Sequence, residues 1–475
     1  MAGGTALVET RTIDVIPDSE RHGTPRSQLT LWFGANMQVT AIVDGALAVV
    51  FGADALWAIV GLTLGNILGG VVMALHSAQG PRLGLPQMIS SRAQFGVLGA
   101  AIPLVLVIVM YVGFAATGTV LSGQAINKII GVDATWVGIV IFGLLTAIVA
   151  ILGYRFIHIL GRIATVVGIA GFVWLGIAMF PRLDLPALVS GADFDIATFL
   201  LAVSLGAGWQ LTFGPYVADY SRYLPRSTRA TTTFWSTFAG SVIGSSWAMA
   251  LGALAASLPA AADGGFLANQ VGFLGDLAGG GLVALAIYLV IVTGKLTVNS
   301  LNAYGGFMCA LTTVSAFTRT VHVSKLVRGL AICAFLGVSV IIALAASADF
   351  LDYFKNFVLL LLMVFTPWSA INLVDYYLIS RERFDIPAFY DPAGRYGAWN
   401  WVALGSYAAG VLIQVPFLAQ KLYTGPITDL LGGADLSWIV GLVGTAAIYY
   451  PLARKRARPP QQMIYPSETK ERVVV

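Results

Sequence analysis

Charged side chains are scarce in this chain. Asp, Glu, Lys and Arg make up 11% of its 475 residues, less than half the roughly 25% of an ordinary soluble domain. So few charges cannot cover a water-facing surface, which excludes a cytosolic enzyme, a nucleic-acid binder and a disordered scaffold. Cysteine is nearly absent. Cys309 and Cys333 are the two in the sequence, and both sit in apolar runs, so no disulfide framework is available. The four histidines, His22, His76, His158 and His322, are scattered. None stands at ligand spacing from a cysteine or a second histidine, so no metal centre of that kind is expected. No secretory leader is expected at residues 1–26. Residues 1–26 are polar and mixed in charge, without the short basic stretch and immediate apolar core that a signal needs.

Apolar residues are abundant instead. They form 57% of the chain, and the mean hydropathy is +0.82. A helix needs about 20 apolar residues to cross the hydrocarbon of a bilayer. Twelve such runs lie near 27–53, 55–78, 96–126, 134–154, 158–180, 196–218, 231–258, 279–315, 326–347, 350–379, 399–419 and 436–453. The expected fold is an all-α integral membrane protein with twelve transmembrane helices. The connecting loops are too short for a soluble domain, and the longer polar stretch 259–278 is expected to lie along the outer surface. Basic residues set the orientation. Of the 27 Lys and Arg, Lys128, Arg182, Lys355 and Lys421 fall on one side and Lys295 lies inside a span. All the others share the side of the two termini, from Arg11 through Arg82, Arg222 and Arg319 to Lys470 and Arg472. This predicts a multi-pass protein of the plasma (inner) membrane with both termini in the cytoplasm. Residues 454–475 form a basic tail attracted to anionic lipid, and the same asymmetry accounts for the pI of 9.0 without any nucleic acid.

A short motif recurs. The first span carries Gly34-Ala35-Asn36-Met37-Gln38 and the sixth carries Gly206-Ala207-Gly208-Trp209-Gln210. Both read Gly-Ala-x-x-Gln, and five spans separate them, so the second copy enters the membrane from the opposite side. An inverted five-helix repeat has this property. Transporters built so break the first helix of each repeat near the midplane, where free amides and carbonyls bind substrate and ion. Glycine tolerates such a break, and it also permits close helix packing. The chain then divides into a tail at 1–26, repeats at 27–195 and 196–379, two further helices at 380–453 and the basic tail. Two charges lie within spans, Asp44 and Lys295. An intramembrane charge costs at least ~2.5–3.5 kcal/mol and marks function by default.

The segment from Glu20 to Gln28, continuing through Trp32-Phe33-Gly34-Ala35-Asn36-Met37-Gln38, resembles the start of the purine–cytosine permeases of the nucleobase–cation symporter-one family. Asp219-Tyr220-Ser221-Arg222-Tyr223-Leu224-Pro225 is similar to that family's signature after the sixth span, and Asn299-Ser300-Leu301-Asn302-Ala303-Tyr304 to its eighth-span motif. The likeness runs from about residue 17 to 455. It implies the leucine-transporter fold, with two inverted five-helix repeats plus two extra helices. It also implies uptake of a nucleobase or related planar heterocycle by alternating access, coupled to H+ or Na+. Trp209, with Gly208 beside it, would stack on the substrate. Asn36, Gln38, Asn299 and Asn302 would bond its rim. Tyr111 and Phe114 would line the third-span side, where Ala115 stands in place of an amide. A Na+ would lie between the carbonyls of Gly34 and Met37 and the hydroxyls of Thr293 and Thr297. Lys295 falls between those threonines, where its ammonium would replace or repel Na+, and Asp44 is placed to pair with it. Asp219 and Arg222 read as an ion pair capping the sixth span. Competing functions are an uncoupled facilitator or channel and, more remotely, a membrane-embedded enzyme. The expected partners are a nucleobase-like small molecule and membrane lipid, with no nucleic acid. No cofactor is expected beyond the coupling ion, and the protein is expected to be a monomer.

Overall fold

The computed structural model describes residues 14–152, 154–190, 193–262, 264–318, 324–421, 423–456 and 458–466. Arg11, Arg319, Lys470 and Arg472 of the basic set lie outside them, as does His322. Every predicted apolar run falls on helix. The long helices are α1 (Pro25–Asn36), α2 (Val39–Val50), α3 (Ala55–Ser77), α4 (Ala101–Ile130), α5 (Thr135–Leu152), α6 (Tyr154–Met179) and α7 (Ile196–Leu211). They continue with α8 (Ala230–Ala256), α9 (Gly281–Thr318), α10 (Lys325–Ala346), α11 (Phe350–Leu373), α12 (Trp401–Leu412) and α13 (Ser437–Arg456). Among the described residues, seven helices are long and apolar enough to cross a membrane, or eight when the bent pair α1–α2 counts as one span. Shorter apolar helical stretches run over Thr135–Ile151, Val166–Arg182 and Trp401–Phe417.

Local chemistry starts several of these helices. Asp54 accepts from Leu56 N at 2.9 Å and caps α3, and Asp195 accepts from Thr198 N at 2.8 Å and caps α7. Each satisfies an amide that a helix N-terminus leaves free. Small residues then set how closely the helices meet. Gly61, Gly65 and Gly69 line one face of α3 at four-residue spacing. A Cβ at Gly65 would collide with the carbonyl of Val203 on α7, and one at Gly206 of α7 with the carbonyl of Leu62 on α3. The two backbones are in direct contact, the close approach that membrane helices reach through small residues.

Both spans bearing the repeated motif are interrupted, at different offsets. The first turns by 61° between α1 and α2, at Met37 and Gln38. The sixth was expected to break at Gly206 and Gly208, but α7 runs through both as regular helix. It ends at Leu211, followed by short turns at Gly214–Tyr216 and Ala218–Ser221. The glycines are taken up by packing, Gly206 on α3 and Gly208 on Val358 of α11. The interruption falls instead where Pro215 lacks the N–H that a continuing helix requires. The stretch 259–278 also differs from its surface reading. It packs onto the bundle, with Gln124 Nε2 of α4 donating to Gln270 Oε1 at 2.8 Å and Val271 N donating to Gln124 Oε1 at 3.1 Å.

The two ends of the chain meet on one face. Ile16 N donates to Gly84 O at 2.9 Å and His22 N to Tyr223 O at 2.7 Å. From the other end, Ile386 N donates to Ile464 O at 3.0 Å and Tyr465 Oη to Arg82 O at 3.0 Å. Arg226 joins the two segments, bonding Asp18 at 3.0 Å and lying 3.7 Å over the Tyr465 ring. Burial lowers the Arg21 guanidinium from its ordinary value, with Arg226 adding to the shift and Asp18 opposing it. An even number of crossings follows from this shared face.

Candidate functional site

The break in the first helix opens onto a cavity of about 510 Å³, within the ~300–1,000 Å³ range of small-molecule sites. Its walls come from α1, α2, α4, α6, α9 and the turns after α7. At the break, Met37 N donates to Gly34 O at 3.1 Å and Gln38 N to Asn36 O at 2.9 Å, closing α1 as a tight turn. Gln38 is extended (φ −142, ψ 149), and its side chain folds back, Nε2 donating to Ala35 O at 3.0 Å. That orientation presents Oε1 to Lys295 of α9. The Lys295 ammonium donates to Gln38 Oε1 at 2.7 Å and to the hydroxyl of Thr40. A single cationic side chain thus ties α9 to the start of α2, and through Gln38 to the end of α1.

Asp44 is not its partner. It lies one turn beyond Thr40 on α2, fully buried, and neither carboxyl oxygen has a hydrogen-bond partner among the described residues. The expected cation donors are only partly assembled. Gly34, Met37 and Thr297 line the cavity with Lys295, but Thr293 does not. The Thr293 hydroxyl bonds Leu289 O at 2.7 Å in its own helix, and the Gly34 carbonyl is taken by Met37 N. With Thr293 off the cavity and the Lys295 ammonium standing among the other donors, this set does not fit a bound Na+ in this structure.

The substrate assignments divide in the same way. Gln38, Tyr111 and Asn302 line the cavity. Asn302 Nδ2 is buried without a hydrogen-bond partner among the described residues, at the edge of the cavity the residue lines. Trp209 is not on the wall. It is 2% exposed, its Nε1 donates to Asn36 Oδ1 at 2.6 Å, and the Phe114 edge stands against it at 6.0 Å between centroids. Asn36 in turn donates to Trp32 O at 2.6 Å and to Ser241 Oγ at 3.2 Å. Gln210, the repeat counterpart of Gln38, lies in a core network with Asn66 at 3.0 Å and Ser245 at 2.8 Å. A buried amide needs partners, and here protein supplies them for Asn36 and Gln210. Asn299 packs the same way: its Nδ2 donates to Ala115 O at 2.9 Å and Thr119 Oγ1 at 3.2 Å, joining α9 to α4, while its Oδ1 lies against Gly118 without a hydrogen-bond partner among the described residues. Ala115, which lacks a side-chain amide, contributes through its carbonyl. Trp209, Asn36, Phe114, Gly208 and Asn299 therefore form the scaffold behind the cavity.

Other aromatics form its walls. Trp32 of α1 meets Phe213 at 5.3 Å and Tyr220 at 5.5 Å, and Tyr111 meets Tyr216 at 5.5 Å, tilted by 37°. All five line the cavity. Phe213 and Tyr216 sit in the turn after α7, flanking Gly214-Pro215. That helix-stopping pair was the available sequence signal, passed over for the glycines of the repeat. Thr40 was passed over as well, because its partner lies on a distant helix. At the end nearest the termini, the cavity reaches Asp219 and Arg222. Asp219 Oδ1 accepts from Gln87 N at 2.7 Å, and Arg222 Nε donates to the Asp219 carbonyl at 3.3 Å.

Comparison with known proteins agrees with this fold. Residues 15–441 match the model of a family described as permeases for cytosine/purines, uracil, thiamine and allantoin. YxlA of Bacillus subtilis, a candidate purine-cytosine permease, is 38% identical over 454 residues, covering 95% of this chain and 97% of its own. The purine-cytosine permease FCY2 of Saccharomyces cerevisiae is 26% identical over 479 residues, covering 94% and 86%. Among solved structures, the inward-facing form of Mhp1 superposes with a TM-score of 0.76 at 21% identity, over 96% of this chain and 95% of that one.

Proposed function

The chain belongs to the family of permeases for cytosine/purines, uracil, thiamine and allantoin, and from that premise we propose that it imports a nucleobase or related planar heterocycle coupled to protons. It is a multi-pass membrane transporter and not an enzyme. The observation that carries the substrate class is the cavity itself: eight aromatic side chains on its walls, with the Asn302 and Gln38 amides beside a helix break. A heterocycle presents a π-face and a rim of donors and acceptors. Ring stacking is worth roughly 1–3 kcal/mol per base, and carboxamides both donate and accept. Tyr111 and Tyr216 form the stacking wall in this reading, and Asn302 and Gln38 read the rim. YxlA and FCY2 carry names of the same substrate class.

Proton coupling rests on Lys295. Its ammonium occupies the break in the first helix, where the resemblance implied a Na+, and holds Gln38 and Thr40 with a charge that is part of the protein. The transport cycle in this reading is alternating access between repeats 27–195 and 196–379, with 380–453 as two added helices. The protein acts as a monomer in the plasma (inner) membrane, with the shared face of the termini, rich in arginine, toward the cytoplasm. The test is uptake of radiolabelled cytosine, adenine and uracil into proteoliposomes. A pH gradient alone drives concentrative uptake and a Na+ gradient alone does not. Strict Na+ dependence at constant pH overturns the coupling assignment. Uptake that never exceeds equilibrium under either gradient favours an uncoupled facilitator.

A further inference from the structure

Asp44 has no role in the site described above, yet it is the most anomalous charge in the bundle. It is fully buried on α2, and both its oxygens lack a hydrogen-bond partner among the described residues. Nor does it form an ion pair among them. Ionisable neighbours are few. The elements packed against α2 are α8, α7, α3, α4 and α11. Neither α8 nor α7 carries an ionisable side chain. On α3 there is His76, in its last turn and bonded to Ser369 at 3.2 Å. On α4 there are Tyr111, on the cavity wall, and Lys128, in its last turn. On α11 there are Asp352, Tyr353 and Lys355 near its start, with Lys355 held 3.8 Å from Asp352 and 3.5 Å over the Phe51 ring. Across the break stands Lys295, on Thr40.

A fully buried carboxylate without a hydrogen-bond partner is costly as an anion. Such groups neutralise instead. Thr40 and Asp44 are four residues apart on one helix and so share a face, about 5–6 Å apart. The ammonium now held on Thr40 is therefore one helical turn from the buried carboxyl.

We propose that Asp44 is the proton carrier of this permease, alternating between a neutral acid, with Lys295 on Gln38 and Thr40, and an anion paired with the Lys295 ammonium one turn away. This rests on the proton-coupled reading above. The step balances. Loss of the Asp44 proton to water on the inner side leaves a carboxylate, and the displaced Lys295 ammonium neutralises it without changing its own proton count. Reprotonation from the outer side returns the lysine to the break. Because the same ammonium leaves Gln38 when it pairs with Asp44, proton release and the polarity of the substrate cavity change together.

The experiment compares wild type with Asp44→Asn, an isostere of the protonated acid, in proteoliposomes enclosing a pH-sensitive dye. The probe is whichever of radiolabelled cytosine, adenine or uracil the wild type takes up. Wild type concentrates it under an inward proton gradient and acidifies the lumen as it does so. Asp44→Asn keeps substrate counterflow but loses both concentrative uptake and acidification. Concentrative, acidifying uptake by Asp44→Asn equal to that of wild type overturns the proposal while leaving proton coupling intact. Uptake by wild type that follows Na+ alone overturns the coupling reading itself, and Asp44 with it. Should Asp44→Asn show no counterflow, infrared difference spectra of wild type and Asp44→Glu decide. A protonated-carboxyl band that appears in wild type and shifts in the Glu variant supports the proposal, and its absence from wild type overturns it.

Discussion

Lys295 on α9 and Gln38 at the break of the first helix share a 2.7 Å hydrogen bond, ammonium to side-chain carbonyl. A neutral oxygen is a modest partner for a buried cation, so the contact is strong enough to hold yet lacks the counter-charge that would fix it. Bonds to charged groups contribute about 1.5–3 kcal/mol. Lys295→Met preserves length and removes the charge. The expected result is counterflow that survives and pH-driven concentrative uptake that disappears, measured in the same proteoliposomes. Unchanged pH-driven accumulation would show that Lys295 only anchors α9.

Asn302 tests the substrate rim. Its Nδ2 has no partner among the described residues, so removing it strands none of their polar groups. Asn302→Ala should leave thermal stability near that of wild type. Its affinity for the transported base should fall about tenfold to a hundredfold, matching the ~1–3 kcal/mol of a lost buried hydrogen bond. Binding measured by scintillation proximity checks this, and an unchanged affinity would remove Asn302 from the site.

Two aromatic assignments can be set against each other. Trp209 bonds Asn36 at 2.6 Å behind the cavity, and Tyr216 lines it. Trp209→Phe should lower stability by about 1–3 kcal/mol through the stranded Asn36 oxygen, with a small change in affinity. Tyr216→Ala should weaken binding by roughly 1–3 kcal/mol, the worth of a stacked base. The opposite pattern would return the stacking role to Trp209.

The contrast shows which parts of the molecule a sequence displays. Spans were legible because twenty-odd apolar residues in a row have one physical solution in lipid. Lys295 was legible because a charge inside such a run cannot be incidental. Gln38, Tyr111 and Asn302 were found by position in motifs, and the cavity contains them. Trp209 and Asn299 sit in the same motifs but pack behind the cavity, because a motif gives the turn of helix but not the face. Whether a buried amide meets substrate or another helix depends on neighbours such as Ser241 and Thr119, far away in the chain. The Lys295–Thr40 contact was hidden for a related reason. Thr40 and Asp44 share a face of α2, so counting residues along the span found the side that meets Lys295 but placed the contact one turn too far along it. Glycines posed the converse problem, since helix breaks and close packing use the same residue.

Close packing and open space make the glycines testable. Gly65 of α3 lies directly on the Val203 backbone of α7, and the Ala207 amide is next to it. Backbone cannot rotate aside as a side chain can, so a methyl group there must push two helices apart. Overpacking of this kind costs typically 1–3 kcal/mol, and the displaced α7 carries the turn that holds Phe213 and Tyr216. Gly405, inside α12, has nothing within 4 Å of where its Cβ would stand. Alanine there meets no obstacle and gains up to about 1 kcal/mol of helix propensity. Gly65→Ala should therefore lower the melting temperature in detergent and reduce substrate binding together. Gly405→Ala should leave binding intact and melting unchanged or raised. Fluorescence-detected size exclusion after a heating series reads both. Equal losses at the two sites would mean that glycine stabilises this bundle through something other than the contact between α3 and α7.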